Sequence, residues 1–181
     1  MAKVIGISGS LRRQSLNASL LQAAIELAPV SLTIETGSIQ DIPLYNFDVE
    51  REGIPAAVVR LKEQIVAADG LLLVTPEYNN SIPGVFKNAI DWLSRPPTDA
   101  PRIFSQRPVG VIGASPGNFG TILSQSAWLP VLRTLGTRPW FGASLYVSSA
   151  GKAFDDQGKL IDSTVRERLR KYLLGFAHFI G

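Results

Sequence analysis

The chain of 181 residues reads as an α/β protein: a parallel sheet of five strands covered by helices on both faces. Three observations predict it. Strand-like apolar runs alternate with amphipathic helical stretches along the whole length. Two of the runs, Leu71–Thr75 and Val109–Ala114, are apolar almost without a break, the mark of strands buried on both sides. Most of the polar turn residues fall in the segments that follow strands 1, 3 and 4, where an open parallel sheet places its ligand.

The elements follow in order. Lys3–Ser8 is strand 1. Ser15–Leu27 is a helix, with Leu16, Leu20, Ala23 and Leu27 along one stripe. Leu32–Glu35 is a short strand, and a Pro-marked loop runs through Asp41–Asp48. Pro55 opens a helix to about Ala68, with Val58, Leu61 and Ile65 in register. Strand 3 is Leu71–Thr75, then comes the polar loop Pro76–Pro83, then a helix over Gly84–Leu93 ended by Arg95-Pro96-Pro97. Strand 4 is Val109–Ala114. After the turn Gly117–Gly120 a helix spans Thr121–Leu135, with Pro130 expected to kink it. Trp140–Tyr146 is the fifth strand. Ser163 is the expected N-cap of a last helix carrying Val165, Leu169, Tyr172, Phe176 and Ile180. No repeat or second domain is visible, so residues 1–181 are expected to form one domain.

Composition narrows the chemistry. With 45% hydrophobic and 18% charged residues the chain can build a full core. It has no cysteine, which removes disulfides, thiolate-bound metals and thiol nucleophiles. Its one histidine, His178, lies near the C-terminus and reads as a surface or packing residue, so neither a Ser-His-Asp triad nor a His-rich metal site is expected. A net charge of +3 does not make a nucleic-acid binder, and the basic stretch Arg166–Lys171 reads as a solvated helix face. No apolar run approaches the roughly 18 residues of a membrane span, and the start of the chain lacks a signal-peptide pattern. The expectation is a soluble cytoplasmic protein that uses neither a membrane nor nucleic acid.

Gly9–Asn17, Gly-Ser-Leu-Arg-Arg-Gln-Ser-Leu-Asn, lies between a strand and a helix start. Unpaired N–H groups and the positive helix end make an anion site there. Ser10, Ser15 and Asn17 add neutral donors, and Arg12 and Arg13 add charge. The glycine spacings of a Walker A loop and of a Rossmann dinucleotide loop are both missing, so a terminal monophosphate fits better. The bland alternative is a Ser-capped helix entry. In the second loop, Pro76–Pro83, free backbone N–H groups can bond the ring atoms of a planar ligand, and Tyr78 offers a flat face. Here too other readings stay open. Tyr78 can be packing, Glu77 can cap a helix or form an ion pair, and Asn79 can stabilise the turn. In the third loop, Ser115–Gly120, Gly117 and Gly120 let backbone approach a ligand, or simply turn a strand into a helix.

With these residues in view, the chain resembles the NADPH-dependent FMN reductase family, in its quinone and chromate reductase branch. Gly9-Ser10-Leu11-Arg12, followed after two residues by Ser15-Leu16-Asn17, resembles the family's phosphate loop. Pro76–Trp92 resembles its longest signature nearly position by position, and Asp41–Asp48 its loop after strand 2. The resemblance implies a flavodoxin-like three-layer sandwich, strand order 2-1-3-4-5, with FMN held non-covalently and NADPH or NADH as co-substrate. It implies that Ser10, Arg12, Ser15 and Asn17 bind the FMN phosphate. Pro76, Glu77, Tyr78 and Asn79 would line the ring and ribityl chain, and Ser115, Gly117 and Gly120 would close the other side. Arg13 would stand at the rim, near the incoming nicotinamide nucleotide. Phe86 departs from the smaller aliphatic residue common there, which puts the nearby interface in doubt.

The activity implied is hydride transfer from a nicotinamide to FMN, then electron delivery to a quinone, azo, nitro, chromate or flavin acceptor. The cofactor carries that chemistry, so no catalytic side chain and no metal are expected. The alternatives are a flavodoxin-like electron carrier without nicotinamide turnover, disfavoured by the positive charge, and an FMN-binding module without turnover. By resemblance the chain is a homodimer or homotetramer. Phe86, Trp92, Trp128 and Leu132 on the helices after strands 3 and 4 are left divided between core and interface.

Overall fold

The computed structural model describes residues 1–181. Its strands are β1 (Ala2–Ser8), β2 (Leu32–Gly37), β3 (Gly70–Val74), β4 (Pro108–Ala114), β5 (Arg138–Pro139) and β6 (Tyr146–Val147). The first five pair in parallel in the order β2-β1-β3-β4-β5, and β6 continues the β5 edge by pairing with the end of β4. The strand order reverses between β1 and β3, so their carboxyl ends flank the switch point of an open α/β sheet.

Side-chain alternation along the strands builds two cores. Val4, Leu72, Val74 and Ile112 face α1 (Leu16–Glu26) and α7 (Ser163–Ile180), meeting Leu20, Leu169, Tyr172 and Phe176. Ile5, Ile7, Leu71, Leu73 and Val109 face the other way. They meet Val58, Leu61 and Ile65 of α3 (Ala56–Val66), Phe86, Ile90 and Trp92 of α4 (Gly84–Leu93), and Trp128 of α6 (Ile122–Thr134). The clusters hold 22 and 19 buried residues, so both faces are covered about equally and the continuous apolar strands are explained.

Phe86, Trp92, Trp128 and Leu132 are all spent on this second core, between 0% and 2% exposed. Phe86 and Trp128 pack edge to face at 5.0 Å. Of the two roles left open for these residues, Phe86 takes that of core packing.

Four details differ from the sequence reading. The continuous fifth strand expected over Trp140–Tyr146 is not formed. Its partner advances from Pro139 to Tyr146 while β4 advances only from Val109 to Gly113, so the edge chain bulges between two short pairings. Trp140 packs inward against Tyr172, with ring centroids 4.7 Å apart, while Phe141–Ser144 swing out to solvent. The cap of α7 is Asp162, whose Oδ1 accepts from the Val165 N–H at 2.9 Å; Ser163 is the first helical residue. Two short helices were also not foreseen, α2 (Phe47–Glu52), capped by Asn46, and α5 (Ala100–Phe104). They are too short to show a hydrophobic period. α6 runs on through Pro130, at an exposed position.

One charge is carried into the second face. The Lys62 side chain is 4% exposed, and its ammonium pairs with Asp99 at 2.8 Å and donates to the Arg95 carbonyl. The Lys62 hydrogen bond holds the Asp99 carboxyl below its ordinary value. A depressed carboxyl contributes stability that is complete above its unfolded pKa, about 3.9, and is lost as pH falls through the folded value. Asp99→Asn should therefore lower the melting temperature clearly at pH 7. Thermal melts of both proteins should stay apart down to about pH 4 and converge as the pH falls below it.

Candidate functional site

The loops after β1, β3 and β4 meet at the carboxyl end of the sheet and enclose an open cleft. Ser10, Arg12, Ser15, Asn17, Pro76, Glu77, Tyr78 and Ser115 line it together with Leu16, Ala114 and Pro116. Residues as far apart in sequence as Ser10 and Pro116 are thus brought to one place. Asn79, Gly117 and Gly120 belong to the same loops but do not line the cleft itself.

The first loop is held close to the sheet. Gly9 N–H bonds the Val74 carbonyl at 2.9 Å, and a side chain at Gly9 would meet the Phe86 ring at 2.1 Å. Only glycine fits between β1 and that ring. Ser15 is the N-cap of α1, its Oγ accepting from Ala18 N–H at 3.2 Å, which leaves its own hydroxyl hydrogen free. Ser10 Oγ accepts from Arg12 N–H at 3.3 Å. The backbone N–H groups of Ser10, Leu11, Arg13, Gln14 and Ser15 have no partner in the protein. Arg12 is exposed and makes no ion pair, so its charge is available. Arg13 lies outside the cleft, in a neighbouring groove shared with Asp155 and Asp156.

In the second loop Tyr78 and Ser81 exchange backbone hydrogen bonds of 3.2 and 3.1 Å around Asn79 and Asn80, whose φ angles are +49° and +61°. This is a two-residue hairpin turn with both central residues left-handed, which asparagine tolerates better than most residues. Asn79 thus shapes the turn. Tyr78 stands 48% exposed beside the cleft. Glu77 spends one carboxylate oxygen on the Leu123 and Ser124 N–H groups of α6, at 2.9 and 3.0 Å. In the third loop Gly120 has a φ of +64°, and Ser115 Oγ donates to its carbonyl. No backbone N–H from Gly117 to Gly120 has a partner.

Asn17 does something the sequence did not disclose. Its Oδ1 accepts from Ala114 N–H and its Nδ2 donates to the Ala114 carbonyl, both at 2.9 Å. Thr75 N–H bonds the Ile112 carbonyl, so the ladder from β3 would reach Ala114 next. The chain leaves the sheet at Pro76 instead, and the buried Asn17 amide fills the vacated place. One amide hydrogen remains for a ligand.

Sequence reasoning also passed over Ser8. Its hydroxyl is the one buried side-chain polar atom without a partner, at the end of β1 where alternation turns it to the α1 face. Its only signal was its place as the last residue of a strand before the loop. Unused backbone donors on all three loops, an unpaired arginine and an orphaned hydroxyl suit an anion with a polar planar group attached. The group of charged residues around Asp41–Asp48 lies elsewhere: Tyr45 Oη and Arg95 Nε both donate to Glu50, and Arg95 holds the Glu50 carboxyl below its usual range.

Replacing the Asn17 amide should be costly away from any ligand. Asn17→Ala leaves two buried backbone groups of Ala114 unpaired, each worth about 1–3 kcal/mol. Denaturant unfolding should show a loss of about 2–4 kcal/mol.

Comparison with known proteins gives the family of the chain. Residues 2–152 match the family model described as NADPH-dependent FMN reductase. An NAD(P)H-dependent FMN reductase of Pseudomonas aeruginosa is 50% identical over 171 residues, 94% of this chain and 91% of that protein. A quinone reductase of Pseudomonas putida is 40% identical over 174 residues, 96% of this chain and 92% of its own length. Among solved structures, a flavoenzyme NAD(P)H:(acceptor) oxidoreductase from Paracoccus denitrificans superposes with a TM-score of 0.89 at 34% identity, covering 99% of this chain and 97% of that one. Its flavodoxin-like fold is the one described above. On the matched span, the identities and the fold together, the chain belongs to the NADPH-dependent FMN reductase family and is an FMN-dependent oxidoreductase.

Proposed function

We propose that residues 1–181 act as a single FMN-binding domain that reduces a small-molecule acceptor, a quinone foremost, at the expense of NADPH or NADH. The observation that carries this is the meeting of three separate loops at one end of the sheet, where Arg12 and the unpaired backbone N–H groups of the first loop border one cleft. FMN, when bound, supplies two-electron redox chemistry that the side chains of this protein lack.

The chain's own part is to hold and orient. Ser10, Arg12 and Ser15, with the first free N–H groups of α1, take the phosphate. Asn17 keeps the first and third loops at a fixed separation and offers its spare hydrogen. The backbone of Pro76, Glu77, Tyr78 and Asn79 on one side, and of Ser115, Gly117 and Gly120 on the other, borders the ring. Tyr78, exposed at the edge, presents a flat face to it. Neutral N–H donors around the ring favour the negative charge of the reduced flavin. The quinone assignment draws on the relatives named as quinone reductases. The proposal extends to a cytoplasmic setting and to a homodimer or homotetramer, on the family resemblance. No helix is long and apolar enough to cross a membrane.

Anaerobic mixing of the FMN-loaded protein with NADPH and with NADH tests the activity. Loss of the yellow flavin absorbance on the timescale of mixing, restored by a quinone, is expected. Colour that persists with both nucleotides refutes it. Arg12→Ala should raise the FMN dissociation constant about tenfold, the value of one charge-assisted bond at an exposed site, with no change in the melting temperature of the apoprotein. Equal FMN affinity in the folded variant removes Arg12 from the phosphate site. A light-scattering mass equal to the 19.6 kDa monomer would end the oligomer assignment.

A further inference from the structure

The residue that resemblance places against the flavin as Glu77 is engaged elsewhere. Its Oε2 accepts from Leu123 N–H at 2.9 Å and from Ser124 N–H at 3.0 Å, in the first turn of α6. That helix has no cap of its own. Thr121, at the N-cap position, makes no capping bond; its Oγ1 is buried and accepts from Gln125 Nε2 at 2.9 Å. No acidic residue stands in the first turn. The carboxylate that satisfies these donors and faces the positive helix end comes from a different loop, 46 residues earlier.

Ser124 is the second half of the attachment. Its N–H bonds Glu77, and its buried Oγ lies 2.9 Å from Thr75 Oγ1, which also receives Trp128 Nε1 at 3.2 Å. Ser124 therefore grips the chain on both sides of Pro76, where it leaves the sheet. Just beyond, the Tyr78–Ser81 turn closes on itself. The cleft-lining stretch Pro76–Tyr78 is thus tied to α6 from both ends, at Pro76 through Thr75 Oγ1, which donates to the Pro76 carbonyl at 2.8 Å, and at Glu77 through the carboxylate, the only side chain of the stretch itself that reaches the helix.

We propose that Glu77 is a positioning residue, whose carboxylate locks the stretch Pro76–Tyr78 onto the N-terminus of α6 so that its backbone is held ready for the flavin ring, while its charge is spent on the helix and not on the ligand. The inference rests on the FMN reading above and assigns the side chain a role in that site.

Two substitutions separate position from charge. E77A removes both, and FMN affinity should fall about tenfold or more, with helical content unchanged by circular dichroism. E77Q keeps an oxygen acceptor in place, and affinity should stay within about threefold of the parent. It also leaves the positive end of α6 unneutralised beside the cleft, so the midpoint potential of bound FMN should rise. Parental FMN affinity in E77A, or an unchanged potential in E77Q, overturns the proposal; should E77A fail to fold, E77Q alone decides it. Failure of the parent protein to bind FMN sinks the FMN reading as well. A parent that binds FMN, with R12A weakened and E77A not, sinks only the role of Glu77.

Discussion

The cleft exists because β3 stops before its neighbour does. At Pro76 the chain abandons the ladder, and the edge of β4 at Ala114 would be left buried with an unpaired donor and acceptor. The Asn17 amide, reaching from the first turns of α1, supplies both partners at 2.9 Å. That pair lets the sheet open between the second and third loops without an unsatisfied edge. It also fixes α1, and therefore the anion loop capped by Ser15, against the end of β4. A hydrophobic contact could not do this, because only an amide carries a donor and an acceptor at peptide spacing.

Around that opening, the loops share a second property: they leave backbone donors unspent. Ordinary turns consume their N–H groups in tight hydrogen bonds, and where this chain needs a tight turn it makes one, at Tyr78–Ser81. Elsewhere on the first and third loops the donors have no partner in the protein. The rigid parts beneath keep them so. Phe86 supports Gly9 from below, Trp128 bonds Thr75, and both rings pack on each other. Aromatic bulk that might be mistaken for a contact surface is the foundation of the polar rim.

Much of this was legible in the sequence, and the exceptions have physical causes. Strands buried on two faces announce themselves as unbroken apolar runs, so β1, β3 and β4 were visible. Helices with an apolar stripe were visible too, and α4 matched its expected limits of Gly84–Leu93. The fifth strand was not, because a run such as Trp140–Tyr146 has the right residues for a strand but gives no sign that the edge must bulge to seat Trp140 against Tyr172. Among site residues, the loop memberships of Ser10, Arg12, Ser15 and Tyr78 followed from their position after strands. The duty of Asn17 did not, and for Glu77 capping was legible only as one of several readings with its helix unidentified, since these side chains act on backbone groups 97 and 46 residues away, and no local pattern encodes such a partner.

The bulge also limits how another chain can meet this edge of the sheet. An open parallel sheet ends in two edges, and a straight apolar edge invites another chain to extend it. Here the outer edge is two fragments, Arg138–Pro139 and Tyr146–Val147, parted by an outward excursion and begun by a charged residue and one that lacks an N–H. No strand of useful length can be laid along it. Lateral growth by sheet extension is blocked on that side, so a partner arriving there must dock on side chains, with the hydrogen-bonding register of the sheet closed to it.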